Sequence, residues 1–195
     1  MSKSLEVLAL KLKEHSRLTA ADLSVLYSLS HIVRELRADE DLIRQGDQPK
    51  VSAVVLSGMV ARYHLLANGA RQYLSFHMAG DMPDSQAVFI EKMDHAVCAV
   101  GDAMVALVPH KDLIAAFDRQ PTLGFAIWRE TLIYAAIFRD AITNNSSDLC
   151  GLEWFICFAS CITALARRAW RKAEQFRYRL VESNWARPSE CRLLP

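Results

Sequence analysis

Apolar residues recur along this chain at two spacings, and the spacing changes twice. Over residues 1–30 the pattern is amphipathic and helical, with lysines interspersed among the leucines. Leu18-Thr19-Ala20-Ala21-Asp22-Leu23 predicts a helix start inside that stretch. Thr19 can cap, Asp22 sits three residues on near the positive helix end, and Leu18 can staple against Leu23. From residue 32 to 109 the period shortens to two. Apolar runs at 51–56, 59–66, 72–78, 95–100 and 103–108 predict strands, separated by Gly46-Asp47, Gly58, Asn68-Gly69, Gly80-Asp81 and Gly101-Asp102. Asn68-Gly69 predicts a type I′ hairpin turn, with both residues at positive φ. It would join Ala61, Tyr63 and Leu65 to Leu74, Phe76 and Met78, each trio on one face. After Pro109 the helical period returns. A short helix is expected over 110–118, and Pro121 opens a longer one in which Leu123, Ile127, Thr131, Tyr134, Phe138 and Ala141 share a face. Asn144-Asn145-Ser146-Ser147 predicts a break. The fold class is therefore α+β: an N-terminal helix, a roll or sandwich of short strands, and a long C-terminal helix.

Composition adds a boundary to this picture. A chain of 195 residues has room for one sizeable domain, or one domain and a small partner. Its net charge of +1 argues for neither nucleic acid nor membrane. The charge is uneven, however. Residues 151–195 carry eight Lys+Arg and four Asp+Glu, whereas the first 150 carry 15 and 18. Cys150, Cys157, Cys161, Cys191, Trp154, Trp170 and Trp185 crowd the end, and no histidine lies beyond His110. The chain changes character near Asn144, so a domain over 1–143 and an irregular helical tail over 145–195 are expected. The first residues lack the continuous apolar core and cleavage site of a signal peptide, which predicts a cytoplasmic protein. Five cysteines, an odd number, fit reduced thiols better than a disulfide framework.

The order helix, short glycine-punctuated strands, short helix, long helix resembles the cyclic-nucleotide-binding fold of the Crp/Fnr regulators, a jelly-roll-like double-stranded β-helix. The residues carrying the resemblance are Asp41-Leu42-Ile43-Arg44-Gln45-Gly46-Asp47, Val54-Val55-Leu56-Ser57-Gly58, the LLANGARQ run at 65–72, Phe76-His77-Met78-Ala79-Gly80-Asp81 and the VALVPHKDL run at 105–113. Together they cover roughly residues 20–143. A cupin-like jelly roll is the alternative. It would want clustered metal ligands; His64 and His77 could be placed that way, but no acidic partner accompanies them.

In the family that the chain resembles, the segment after the Gly-Asp turn forms a cassette for the cyclic phosphate. A short helix offers N–H groups, a glutamate holds the ribose and an arginine neutralises the phosphate. The matching stretch here runs through Gly80, Asp81, Asp84 and Ser85 to Asp94, His95 and Ala96. Ser85 falls where the glutamate would be, and Asp94 where the arginine would be. An aspartate facing a phosphate repels it. Cyclic nucleotide is thus not the expected ligand. The pocket is expected to be either a scaffold or a site for a different small-molecule effector. His95 could respond to pH or to a ligand, although a solvated or core-edge histidine is the simpler reading. No cysteine precedes Cys98, which excludes the iron–sulfur centre of the oxygen-sensing relatives. A haem has one axial candidate, His77, and no other support. No cofactor and no metal site are expected, since Cys150, Cys157 and Cys161 lack zinc-site spacing.

The same resemblance makes the helix over 121–144 a dimerisation helix, with Leu123, Ile127, Thr131, Tyr134, Phe138 and Ala141 as the seam of a homodimer. The alternative is that this stripe packs on its own roll; Ile133, Ala136 and Ile137 widen the apolar surface beyond one seam. Intact relatives continue into a winged helix-turn-helix that binds DNA. Residues 145–195 do not match one: 152–166 is apolar with Glu153 its only charge, and the rest is Arg- and Trp-rich. A lost or out-of-frame reader head is expected, with a one- or two-base indel near the codons for 143–150 and no specific DNA binding. The alternative is a genuine tail. Its apolar stretch is shorter than the roughly 20 residues that span a bilayer, and Arg167, Arg168, Arg171 and Lys172 could hold it at a membrane surface. No GxSxG, P-loop or HExxH occurs, and Asp39-Glu40-Asp41 reads as a solvated turn, so no catalytic site is expected. The sequence therefore points to the effector-sensing and dimerisation part of a Crp/Fnr-type regulator. A stand-alone small-ligand sensor is the alternative.

Overall fold

A computed structural model describes residues 3–147. The expected tail at 148–195, with its apolar stretch and its cysteines, lies outside the described residues.

The N-terminal helical stretch is two helices, not one. A 3-10 turn, Lys3–Leu5, leads into α1 (Glu6–His15), and α2 (Ala20–Tyr27) follows. The chain breaks between them because Ser16 is extended and Thr19 starts a new helix. Thr19 and Asp22 form the expected capping box: the Thr19 hydroxyl accepts from the Asp22 N–H at 3.2 Å, and the Asp22 carboxylate accepts from the Thr19 N–H at 2.7 Å. Asp22 also accepts a short hydrogen bond from Thr122, which ties α2 to the last helix.

Seven strands follow: β1 (Ile32–Leu36), β2 (Asp41–Ile43), β3 (Val51–Ser57), β4 (Met59–Leu65), β5 (Arg71–Met78), β6 (Ala96–Ala99) and β7 (Ala103–Pro109). They form two antiparallel sheets, ordered β1-β7-β3 and β2-β6-β4-β5. Val55, Val60, Val97, Ala99 and Val105 fill the roll between them. The period of two sends the intervening residues of the three-stranded sheet outward, where Val54, Ala106 and Val108 meet Leu8, Leu12, Leu26, Leu113 and Leu123 from the helices. One sheet thus serves two cores. The helices are α3 (His110–Arg119) and α4 (Pro121–Ser147). The expected break at 144–147 does not occur; α4 runs through Ser147. Among the described residues no helix is long and apolar enough to cross a membrane.

Two hairpin expectations are corrected. Only Gly69 takes a positive φ, +81°; Asn68 does not. The Gly69 N–H donates to the Leu66 carbonyl at 2.9 Å, and the Asn68 side chain accepts from the Ala70 N–H at 3.0 Å. This is the three-residue style of loop, an ordinary turn followed by a left-handed glycine, rather than a type I′ turn. The ladder also shifts between Arg62 and Tyr63. Ala61 pairs with Phe76 as the alternation implies, but Tyr63 faces Tyr73 and Leu65 faces Arg71. The bulge absorbs one residue, so the two apolar trios do not stay opposed. Tyr63 lies on the outer face with Ala96 and Cys98, under the Arg71 guanidinium 4.7 Å from its ring centre.

Gly80 shows how tightly α1 sits on this frame. Its φ is +93°, and a Cβ there would lie 2.6 Å from the Val7 carbonyl oxygen. Gly80→Ala is expected to cost about 2–3 kcal/mol, combining left-handed strain with displacement of α1. Urea unfolding measures it; a loss under about 0.5 kcal/mol, within the range of neutral surface changes, would mean that α1 yields freely.

Candidate functional site

The link from β5 to β6 spans residues 79–95. It is zipped to β3 at its start. Gly80 N–H donates to the Val55 carbonyl at 2.8 Å, and Val55 N–H donates to the Asp81 carbonyl at 3.0 Å. The Asp81 carboxylate closes the turn by accepting from the Met78 N–H at 2.9 Å. Asp84 then turns inward. Both of its oxygens accept from the Ala53 N–H, at 2.9 and 3.1 Å, so the carboxylate is spent on β3 instead of capping the short 3-10 helix that follows, Ser85–Val88. Burial pushes the Asp84 pKa up to about 7, against the opposing pull of the Ala53 bond and the Arg62 charge. The next residue points the other way: the Ser85 hydroxyl meets the Thr131 hydroxyl of α4 at 3.1 Å.

Arg62 of β4 is the group that the sequence reasoning missed. Its Nε donates to the Pro83 carbonyl at 2.6 Å, and a terminal nitrogen donates to Gln86 Oε1 at 3.3 Å. Gln86 Nε2 lies 3.3 Å from His95 Nε2, and His95 Nδ1 lies 2.8 Å from the Asp94 carboxylate. One direction of donation satisfies every link: Arg62 to Gln86, Gln86 to His95, and His95 Nδ1–H to Asp94. A cation inside the roll is thus joined to an anion outside it, because the Asp94 side chain is 72% exposed. Burial foremost, and then the Arg62 charge, lowers the His95 pKa below its ordinary 6.5, against Asp94. This lowering favours the neutral imidazole that the donor chain requires. One signal for Arg62 lay in the sequence: the period of two that points Val60 into the roll points Arg62 there too, and a charge at an inward strand position needs a partner.

The seven candidate residues of the cassette do not gather around one cavity. Asp84 lines a cavity of about 390 Å³ at the end of the roll, with Arg34, Leu42, Ile43, Asp47, Gln48, Pro49, Val51 and Leu107. Gly80, Asp81 and Ser85 line a crevice of about 10 Å³ between α1, the cassette and α4, enough for about one water. Asp94 and His95 belong to the Arg62 chain, and Ala96 packs on the outer face against Tyr63 and Cys98. His64 sits opposite Gln72 and His77 opposite Val60, at separate ends of the β4–β5 ladder, which removes the cupin-like placement. Among the described residues no group of His, Cys, Asp or Glu could hold a metal. The Asp39-Glu40-Asp41 turn is more ordered than a plain solvated turn: Glu40 accepts from the Arg37 N–H at 3.0 Å, and Asp41 accepts from the Tyr63 hydroxyl at 2.7 Å.

Helix α4 carries two different faces. The stripe expected as a dimer seam turns toward its own roll over the first half of the helix. Leu123 and Ile127 belong to the helix core, Thr131 meets Ser85, and the Tyr134 ring lies 4.9 Å from that of His77. Glu130 bonds His15 at 2.8 Å and pairs with Lys11 at 3.4 Å, fixing α4 to α1. The exposed apolar side chains are Phe125, Trp128, Leu132, Ile137 and Ile142. The packing of the roll, not the apolar spacing alone, decides which stripe is covered.

Comparisons with known proteins agree with this geometry. Residues 33–120 match the cyclic nucleotide-binding domain family. A cyclic nucleotide-binding domain from Methylobacillus flagellatus superimposes with a TM-score of 0.59 at 19% identity, covering 77% of this chain and 85% of that one. FixK2 from Bradyrhizobium japonicum gives 0.53 at 24% identity, over 58% of this chain and 57% of that one. The sensor domain of the transcriptional regulator DNR from Pseudomonas aeruginosa gives 0.53 at 15% identity, over 78% and 99%. The match thus spans little more than half the length of FixK2 but nearly all of an isolated sensor domain. No curated protein sequence matches the chain.

Proposed function

We propose that residues 3–147, of which 33–120 match the cyclic nucleotide-binding domain family, are the effector-sensing and pairing part of a Crp/Fnr-type transcription regulator. The observation that carries this reading is the two-faced α4. One face is bonded to the cassette through Ser85–Thr131, and the other offers Phe125, Trp128 and Leu132 at helical spacing to a second copy. A change in the cassette can therefore reach the pairing helix through one contact. Cyclic nucleotide is not its effector in this reading. The cassette's inward polar groups are already engaged by Arg62, Ala53 and Gln86. Residues 145–195 carry no helix-turn-helix pattern, so the reading assigns them no specific DNA recognition.

Light scattering after size exclusion tests the pairing. The wild-type chain is expected to be a dimer at micromolar concentration. Trp128→Glu together with Leu132→Glu is expected to give a folded monomer, with unchanged far-UV circular dichroism. A wild-type monomer at that concentration, or a double variant that still dimerises, would refute the assignment. Cyclic AMP is expected to leave the melting temperature unchanged, since a ligand bound only to the folded state would raise it.

A further inference from the structure

We propose that the cavity at the end of the roll is an effector site for a small molecule with an apolar body and one protonated amine. The proposal names the ligand class of the sensing part assigned above and rests on that reading.

Three observations carry it. The first is size and lining. At about 390 Å³ the cavity falls at the lower end of the range for ligand pockets, about 300–1,000 Å³. Leu42, Ile43, Pro49, Val51 and Leu107 supply apolar walls from β2, the loop before β3, β3 itself and β7. The second is charge. The charged groups on the wall are Arg34, Asp47 and Asp84. Arg34 is already paired with Glu40 at 2.7 Å. Arg62, whose charge acts on Asp84, hydrogen-bonds the Pro83 carbonyl and Gln86 and not the Asp84 carboxylate. Asp84 is buried, with the Ala53 N–H as its hydrogen-bond donor. What the wall leaves for a guest is the acceptor capacity of two carboxylates. An anion entering there meets like charge, whereas an ammonium adds a further donor and a positive charge to carboxylates that hold backbone N–H donors on this wall.

The third observation is connection. Asp84 and Ser85 are adjacent, and they face opposite sides of the cassette. A ligand that draws Asp84 into the cavity pulls on the residue bonded to Thr131 of α4. The path from cavity to pairing helix is three residues long: Asp84, Ser85 and Thr131.

The test uses the full chain at pH 8 and three probes of one shape: benzylamine, benzyl alcohol and benzoate. Titration calorimetry and thermal shift are the readouts. Benzylamine is expected to bind roughly tenfold tighter than benzyl alcohol and to raise the melting temperature, while benzoate does neither. Asp84→Asn keeps an acceptor for the Ala53 N–H, so it is expected to fold, to bind the alcohol as before and to lose the preference for the amine. Leu107→Trp fills the cavity from β7 and is expected to abolish binding of every probe; Val51→Phe fills it from β3 should the first variant not fold. Benzoate binding as well as benzylamine, an Asp84→Asn variant that keeps the amine preference, or no response to any probe would overturn the proposal. Light scattering on the same samples separates the two readings. A dimer that ignores amines sinks only the ligand class, and a monomer that binds them sinks only the pairing role.

Discussion

Replacing Arg62 with methionine should cost about 2–4 kcal/mol and should loosen the cassette before it unfolds the roll. The side chain donates to the Pro83 carbonyl at 2.6 Å and to Gln86 at 3.3 Å, so methionine leaves two acceptors short of a donor beneath the cassette. It also removes the charge that opposes the raised pKa of Asp84. Hydrogen bonds to charged groups are worth about 1.5–3 kcal/mol each, and uncompensated buried groups add to the loss. Amide exchange should show the order of events. Protection over residues 82–95 should fall more than protection in β3 and β7, because those strands keep their ladders. Equal loss across all strands would mean that Arg62 is an ordinary core residue and not a clamp on the cassette.

Asp84→Asn should remove a pH dependence that the wild-type protein carries. The sign follows from the pKa of about 7 in the fold against 3.8 for the ordinary carboxyl. Between those values the folded state holds a proton that the unfolded chain has released. Wild-type stability therefore falls as pH rises from about 4 to about 7, and the full cost of ionising Asp84 stands above that window. A difference of about three pH units corresponds to an upper bound of about 4 kcal/mol. Asparagine keeps an acceptor for the Ala53 N–H and has no charge to bury. The variant should match the wild type near pH 4 and exceed it at pH 8 by roughly 1–3 kcal/mol, with a flatter profile between. Urea midpoints across that range measure it. A variant less stable than wild type at pH 8 would show that the carboxylate is ionised and well paired in the fold. Arg62→Met should move the wild-type transition to higher pH, because the guanidinium is what draws the Asp84 pKa down.

Much of the frame was legible from residue order alone. The alternation over 32–109 located five strand runs to within a residue or two at each end, and the Gly-Asp and lone-glycine punctuation marked where they stop. The Thr19–Asp22 capping box was readable because its two partners lie three residues apart. These signals are local: a period, a cap and a turn each express the conformational preference of a few consecutive residues. The hairpin marks where such signals begin to fail. Asn68-Gly69 announced a tight turn, yet the ladder bulges at Arg62 and the turn takes the longer form in which only Gly69 is left-handed.

The site lay beyond local reading. Asp84 was named as a candidate, but its partner on β3 is 31 residues away, and Arg62, in the preceding hairpin, was not named at all. Asp94 looked like a pocket residue by position and lies at the surface instead, as the outer end of a chain that starts inside the roll. In α4 the apolar spacing predicted one buried stripe without saying what would bury it. The roll covers Leu123 and Ile127 and leaves Phe125 and Trp128 outside. By itself the sequence determined which segments are strands, helices and turns, since backbone preference and amphipathic period act over a few residues. Tertiary structure alone decided which charges meet and which faces stay open, since an ion pair or a covered face depends on segments brought together from distant parts of the chain.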